Sequence, residues 1–590
     1  MKKKKNVLFV IGLFLVSFYR IKLLEGSSWE LILTTGYDDI MQMKNAVTLT
    51  AGDWLGNSYF YTSMAKNIGY PLFLAMGQWL NLSYGILYGL VIVFASLVFI
   101  KAISPIFSSR KLLFLIYIVI LFTPINHEAF YRIYRNALVP WIFLLVLSCM
   151  VALFIRRGDR VNRQLPWSLG ALLSIMYFWT LREDSIWIFP FVLIASIMIV
   201  LVNIPLFFRQ KREFIYKTLL AIIPLSGIII VSVIVSAINY SHYGIWAMND
   251  RTQTYAPKVM SLIYRIDDGE TQDSDVWASR EALKLAINVS PTLKKIGDRA
   301  LASYNLWAGG EDLEIKGDLS QWSLRFAVEE EGYYHGNAKE TNTFYKKVYE
   351  ELTAAFKSGK LHKKSGIYLS SQTGAFHISD FLQSIYMSFA LTGKISNYYN
   401  AEVSDGYLTY ADFSEIDLNF FENILNTDLP RNTDQLANLG INDSYNNYDL
   451  DLTTFNNISI KSNEYILSNR KQVQFKENFI VAIYRTLSYV CLPLSFLGYY
   501  LLIVDIVKQK NIQQSINLFL IMTGVALSAF LNIFLVCLFS RWITPNIDSI
   551  IYGFYASAAY LLYTITMLMG TIVVIKKLRI PNFKTKSSFN

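Results

Sequence analysis

The chain has 590 residues, of which 53% are hydrophobic, 15% aromatic and 17% charged, with a mean hydropathy of +0.33. A chain this apolar would not stay dispersed in water, which excludes a soluble globular class and predicts a multi-span helical membrane protein. The net charge of +10 does not point to nucleic acid, because the basic residues cluster at the ends of apolar runs: Lys2 to Lys5, Arg110-Lys111, Arg156-Arg157 with Arg160 and Arg163, Arg209 to Arg212, Lys508 and Lys510, and Lys576 to Lys586. That is the positive-inside distribution, reinforced by attraction to anionic headgroups.

Ten spans are predicted. The first, residues 6–24, follows Lys2 to Lys5 and ends in Arg20 and Lys22 with no small-residue cleavage site, so it reads as an uncleaved span rather than a signal peptide. An outer loop over residues 25–83 follows. Within it Tyr70 to Leu82 is apolar but too short to span, and Tyr70, Gln78 and Trp79 suit a helix lying on the membrane surface. Spans two to seven are predicted at 84–104, 111–125, 137–155, 167–181, 186–207 and 216–239. Hydropathy then collapses over 240–476, a polar, Asn- and Tyr-rich stretch long enough for a separate domain. Inside it, Trp322 to Val328 and Tyr345 to Phe356 have helical spacing, while 395–460 reads as loops and short strands. Spans eight to ten are predicted at 477–505, 515–539 and 549–575.

The expected fold is an all-α polytopic membrane protein with a large extracytoplasmic domain, mixed α/β or mainly α, inserted between spans seven and eight. Residues 1–239 form the N-terminal membrane module, 240–476 the inserted domain, and 477–590 the C-terminal membrane module and tail. With ten spans both termini are cytoplasmic and both long polar regions lie outside. Cys149, Cys491 and Cys537 each sit in an apolar run without a partner, and the polar region has none. An outer region built without disulfides fits the cytoplasmic membrane of a bacterium.

The candidate chemistry lies in the outer loops. Asp38 and Asp39 follow the first span in Gly36-Tyr37-Asp38-Asp39-Ile40. A carboxylate there can act as general base, its proton affinity raised by its like-charged neighbour; the plain alternative is a solvated pair or a cap on the helix Ile40 to Thr48. Lys66, shortly before Pro71, can stabilise a leaving phosphate or simply snorkel at the interface. The second outer loop reads Asn126-His127-Glu128-Ala129-Phe130-Tyr131-Arg132-Ile133-Tyr134-Arg135-Asn136. Arg132 and Arg135 run against the positive-inside trend and, three apart, would share a helix face and grip a phosphate, or else pair with Glu128 or other carboxylates. Arg182, Glu183 and Asp184 join two spans at a membrane boundary and are expected to face a cavity or one another. His242 is a further cavity candidate, and Arg485 a further phosphate ligand. No metal-ligand spacing occurs among the five histidines.

The acidic pair soon after span one, followed by Lys66, Pro71 and an apolar surface helix, resembles the first outer loop of the GT-C glycosyltransferases, a superfamily that includes protein O-mannosyltransferases and aminoarabinose-lipid transferases. The resemblance covers about residues 1–240. It implies an inverting membrane glycosyltransferase that takes a sugar from a polyprenyl-phosphate donor to an extracytoplasmic glycan, glycolipid or protein. The implied catalytic residues are Asp38 and Asp39, and the donor phosphate would meet Lys66, Arg132, Arg135 and Arg485. No cofactor is required; the acidic pair could bind a divalent metal, although no sequence feature indicates one. Asp-Asp replaces the family's usual Asp-Glu, which leaves open which carboxylate is the base. The rival readings are a lipid-linked sugar transporter or flippase, and a non-catalytic envelope scaffold with a glycan-binding outer domain.

Overall fold

The computed structural model describes residues 2–32, 38–107, 109–269, 275–334, 336, 338–403, 407–410, 415–426, 458–461 and 470–578. Gly36 and Tyr37 of the first-loop motif, the end of the basic tail and most of the Asn-rich stretch before residue 460 lie outside the described residues. The helices are, in order, α1 (Lys2–Glu25), α2 (Asp38–Ala51), α3 (Gly69–Leu80), α4 (Tyr84–Ile103), α5 (Arg110–Leu121), α6 (His127–Tyr131), α7 (Val139–Ile155), α8 (Val161–Leu181), α9 (Phe189–Arg209) and α10 (Lys211–Tyr243). Then come α11 (Tyr255–Ile263), α12 (Arg280–Val289), α13 (Pro291–Lys294), α14 (Gly297–Ala308), α15 (Leu319–Glu330), α16 (Ala338–Lys357), α17 (Ile378–Ser396) and α18 (Glu415–Leu425). The chain closes with α19 (Arg470–Val507), α20 (Ile512–Phe539), α21 (Ile550–Tyr555) and α22 (Ser557–Lys577).

Among the described residues, eight helices are long and apolar enough to cross a bilayer: α1, α4, α7, α9, α10, α19, α20 and α22. The protein is an all-α polytopic membrane protein. The other two predicted spans are also helices of the bundle. The 12-residue α5 reaches only about 18 Å at 1.5 Å per residue. The 21-residue α8 carries Arg163, Gln164 and Pro166 in its first two turns, and packs between α7 and α10.

The bundle is built around α7 and α22, which touch each other. Every residue of α7 is buried, as its all-round apolar sequence requires of a central helix. Helices α19 and α22 cross on small residues. A Cβ at Gly498 would sit 2.5 Å from the Gly570 carbonyl oxygen, and one at Gly570 would sit 2.6 Å from Ser495 Cα, the close approach that helix packing in lipid exploits.

A second core belongs to a helical domain over α11 to α16. Leu283, Ala286, Tyr304, Leu324, Val328, Tyr345, Val348 and Leu352 fill it. The helices read from the sequence at Trp322 and Tyr345 are α15 and α16, and the domain is mainly α. Leu55, Tyr59, Met64 and Ile68, from the loop between α2 and α3, bury into the same core, so that loop is pinned beneath the domain. The short apolar segment after it forms α3, which buries Tyr70, Phe73 and Leu74 and exposes Met76, Trp79 and Leu80.

One feature of the polar stretch differs from its sequence reading, and the short strands agree with it. Helix α17 leaves the helical domain and packs on α20 and α22. The strands are few: β1 (Leu31–Ile32) pairs in parallel with β2 (Tyr407–Tyr410), which pairs antiparallel with β3 (Ile458–Lys461). This small sheet fixes the chain just ahead of Asp38. Beside it Glu30 N–H donates to the Tyr131 carbonyl at 2.9 Å and Ile133 N–H donates to the Glu30 carbonyl at 2.8 Å, which clamps the α6–α7 connection against the entry to α2.

Candidate active site

Asp38 and Asp39 occupy the first turn of α2, where the helix dipole favours negative charge. Their environments are unlike. Asp39 is fully buried and takes a bidentate pair from Arg132, Nε to Oδ1 at 2.9 Å and Nη2 to Oδ2 at 2.5 Å. Asp38 keeps 26% of its side chain exposed. Its Oδ2 accepts from Tyr134 Oη at 2.7 Å, lies 2.7 Å from Lys66 Nζ and 3.5 Å from Arg135 Nη2. Among the described residues no donor reaches Asp38 Oδ1.

Burial works against the Asp38 carboxylate, but Lys66, Arg135 and Arg251 together outweigh it and hold the carboxyl well below the usual carboxylate range. The expectation that a like-charged neighbour raises the proton affinity of one carboxylate holds for Asp39, where Asp38 adds to burial, and not for Asp38, where three cations dominate one anion. Burial raises the Asp39 carboxyl, and Arg132 offsets this only in part.

Lys66 is buried, and the ring of Trp322 from the helical domain lies 5.4 Å from its Nζ. Burial first, then Arg251, pushes its ammonium down to about 8, with Asp38 opposing. Lys66 is thus an ion-pair partner of Asp38 and not the snorkelling residue of the plain alternative. Arg132 and Arg135 do not share a helix face. Arg132 is the extended C-cap of α6 and Arg135 opens a 3₁₀ turn over 135–137. They converge all the same, both stacking on Tyr134 with centroid distances of 5.1 and 5.3 Å. Arg132 holds Asp39, and Arg135 Nη1 holds Glu183 Oε2 at 2.6 Å.

The tight turn between α8 and α9 supplies Glu183, whose Oε1 also accepts from Asn67 N–H at 2.8 Å. Burial favours its neutral form, yet Arg135, Lys66 and Arg251 hold it below the usual carboxylate range. Arg182 forms a bidentate pair with Asp184 at 2.5 and 2.7 Å, donates to Asn136 Oδ1 at 2.6 Å and stacks on Tyr555. Arg182 and Asp184 therefore meet each other, and Glu183 meets the site through Arg135. Glu128, half-buried on α6, lies on the Arg132 side, and burial raises its carboxyl.

Two predicted residues are elsewhere. His242 is exposed at the end of α10 and stacks on Trp54 at 6.0 Å. Arg485 pairs with Glu402 and donates to the Tyr398 carbonyl at 3.0 Å, at the C-terminal end of α17, where a cation complements the helix dipole. The structure does not bring it into contact with Asp38, Lys66, Arg132 or Arg135 among the described residues. His127 faces Glu30, Nε2 to Oε1 at 2.6 Å. Among the described residues no group of three or more His, Cys, Asp or Glu side chains is placed to hold a metal ion.

The structure adds residues that sequence reasoning missed. Tyr134 lay within the quoted loop but was not singled out. Arg251, just after α10, pairs with Asp318 and stacks on Trp322 at 5.4 Å. Arg325 stacks on the same ring at 5.3 Å while its Nη2 donates to both Asp250 oxygens at 2.9 Å. Gln42 and Asn45 follow Asp38 by four and seven residues, a spacing that places all three on one face of α2. Both are buried, and among the described residues neither amide atom of Gln42 nor Nδ2 of Asn45 has a hydrogen-bond partner. Each such atom costs about 1–3 kcal/mol, so native folds rarely leave it unused.

No family model, curated protein or solved structure matches this chain.

Proposed function

We propose that the protein is an inverting, GT-C-type glycosyltransferase of a bacterial cytoplasmic membrane, with ten spans, cytoplasmic termini and the helical domain outside. The observation that carries this reading is Asp38: an ionised carboxylate with one oxygen held by Lys66, Tyr134 and Arg135 and the other without a donor among the described residues. The Gln42 amide and Asn45 Nδ2, without a partner among the described residues, continue its helix face and suit the hydroxyls of a sugar.

In the proposed step, an acceptor hydroxyl attacks the anomeric carbon of a polyprenyl-phosphate sugar. The new carbon–oxygen bond forms as the bond to the phosphate oxygen breaks. The acceptor proton passes to Asp38, and polyprenyl phosphate leaves, stabilised by Lys66 and Arg135. The donor phosphate competes with Asp38 for these cations. As they turn to the phosphate, the charges that hold Asp38 down are shared and its proton affinity rises when the acceptor must lose its proton. Arg132 is committed to Asp39 and acts by positioning α2. The acceptor is a cell-wall polymer, glycolipid or protein.

Two measurements test this reading. Purified protein should turn over at least one member of a panel of polyprenyl-phosphate sugars. Lys66 carries its charge below pH of about 8 and loses it above, so turnover should fall as pH rises through that value. Lys66→Arg, which cannot lose its proton in this range, should remove that alkaline limb. Transport of an intact lipid-linked sugar without cleavage would favour the flippase, and glycan binding without turnover the scaffold. Separately, cysteine placed at Ser358 should react with an impermeant thiol reagent on intact cells and cysteine at Gly158 should not. The reverse would overturn the orientation.

A further inference from the structure

Helix α17 lies inside the stretch that hydropathy assigns to the polar inserted domain, yet its neighbours are membrane helices. Phe389 packs on Phe530 of α20 with ring centroids 5.0 Å apart, and Thr392 meets Tyr563 of α22 at 3.0 Å. These contacts set a depth. Phe530 precedes the end of α20 at Phe539 by nine residues, about 13 Å along the helix at 1.5 Å per residue. Tyr563 lies six residues into α22, or about 9 Å. Half of a hydrocarbon core is about 15 Å, so the middle of α17 sits at leaflet depth, not above the headgroups.

Its chemistry matches that depth. No charged residue occurs between Asp380 and Lys394. Those two charges are tied off at the bundle's rim, Asp380 by Arg541 at 2.9 Å and Lys394 by Asp548, both in the α20–α21 connection. Ser384, Ser388 and Leu391 face inward and are buried. Leu382, Tyr386 and Phe389 form the opposite stripe and are 63%, 76% and 66% exposed. That stripe continues onto the exposed apolar surface of α20 at Leu527 and of α19 at Tyr489 and Val490.

We propose that α17 is a leaflet-embedded helix on the helical-domain side of the bilayer, whose Leu382–Tyr386–Phe389 stripe binds extended apolar lipid tails. The occupant follows from the depth and from continuity with the bundle's lipid-facing belt, since an apolar face exposed to water over this length would be strongly unfavourable. The helix also reaches the candidate site. Just past its C-terminal end, the Asn400 carbonyl accepts from His127 N–H at 2.6 Å, at the start of α6, and the Tyr399 carbonyl accepts from Tyr560 Oη at 2.6 Å. The segment that carries Arg132 and Arg135 is thus anchored to an element in contact with lipid.

The test is nitroxide scanning of the full chain in lipid nanodiscs, on a background with Cys149, Cys491 and Cys537 replaced. Labels at Leu382, Tyr386 and Phe389 should collide more with oxygen than with a water-soluble nickel complex, with a depth parameter of the same sign as a label at Leu527. A label at Ser358 should show the opposite sign. Nickel accessibility at the three α17 positions equal to that at Ser358 would overturn the proposal. Protection from both colliders would also overturn it, because protein and not lipid would then cover the stripe. Near-identical spectra of a reference label at Leu527 across all variants would show that the bundle is folded.

Discussion

Asp38→Asn should leave the protein folded and abolish sugar transfer. The substitution keeps the size of the side chain and an oxygen for Tyr134 Oη, and removes only the charge. Fold should survive because the residue is partly exposed, with 26% of its side chain accessible, and because Lys66 and Arg135 retain Glu183 nearby. General-base help is typically worth roughly 10²–10⁴-fold, and an amide cannot supply it. Turnover of the preferred polyprenyl-phosphate sugar should therefore drop by about that factor, in a variant that still folds but melts somewhat lower because the ionised Asp38 carboxylate contributes stability. Parent-rate transfer by Asp38→Asn would remove the catalytic reading of this loop and favour the scaffold.

Much of this arrangement was legible in the sequence, and the failures have physical causes. Spans such as α7 announce themselves because lipid and core both demand apolar residues. The acidic pair, Lys66, Arg135 and Glu183 stood out as charges at a membrane boundary, where charge is costly without a function or a partner. Pairing could not be read. Spacing suggested a shared helix face for Arg132 and Arg135, but α6 ends at Tyr131, and the two guanidiniums meet across Tyr134 by backbone geometry. Arg251 and Trp322 are remote in sequence and reach Lys66 only because the loop before α3 is buried under the helical domain. Helix α17 escaped hydropathy because its inward serines lower the mean although its outward face is apolar. His242 and Arg485 are placed away from this cluster, because proximity to a span end does not say which way a helix faces.

The pair's second member should behave in another way. Asp39 is fully buried and is the bidentate partner of Arg132, whose guanidinium also stacks on Tyr134 and Phe554 at 5.1 and 5.4 Å. Asp39→Asn removes one charge of a buried pair and leaves the other in place. Losing one partner of such a pair typically costs about 3–5 kcal/mol, far more than the intact pair contributes. The variant should therefore melt markedly lower than the parent in detergent or nanodiscs, and lower than Asp38→Asn, whose cations keep Glu183. Burial raises the Asp39 carboxyl, and Arg132 offsets this only in part. A group whose folded proton affinity is raised loses stability as pH rises through its ordinary range and keeps it below. By that sign, Asp39 itself does not drive acid unfolding; the groups held down, Asp38 and Glu183, do. The two effects separate in one experiment: with Asp39→Asn, the loss of stability at neutral pH should persist, and the acid-side decline set by Asp38 and Glu183 should remain. Equal melting of Asp39→Asn and parent at neutral pH would show that Arg132 finds another partner, and that Asp39 is not what fixes the start of α2.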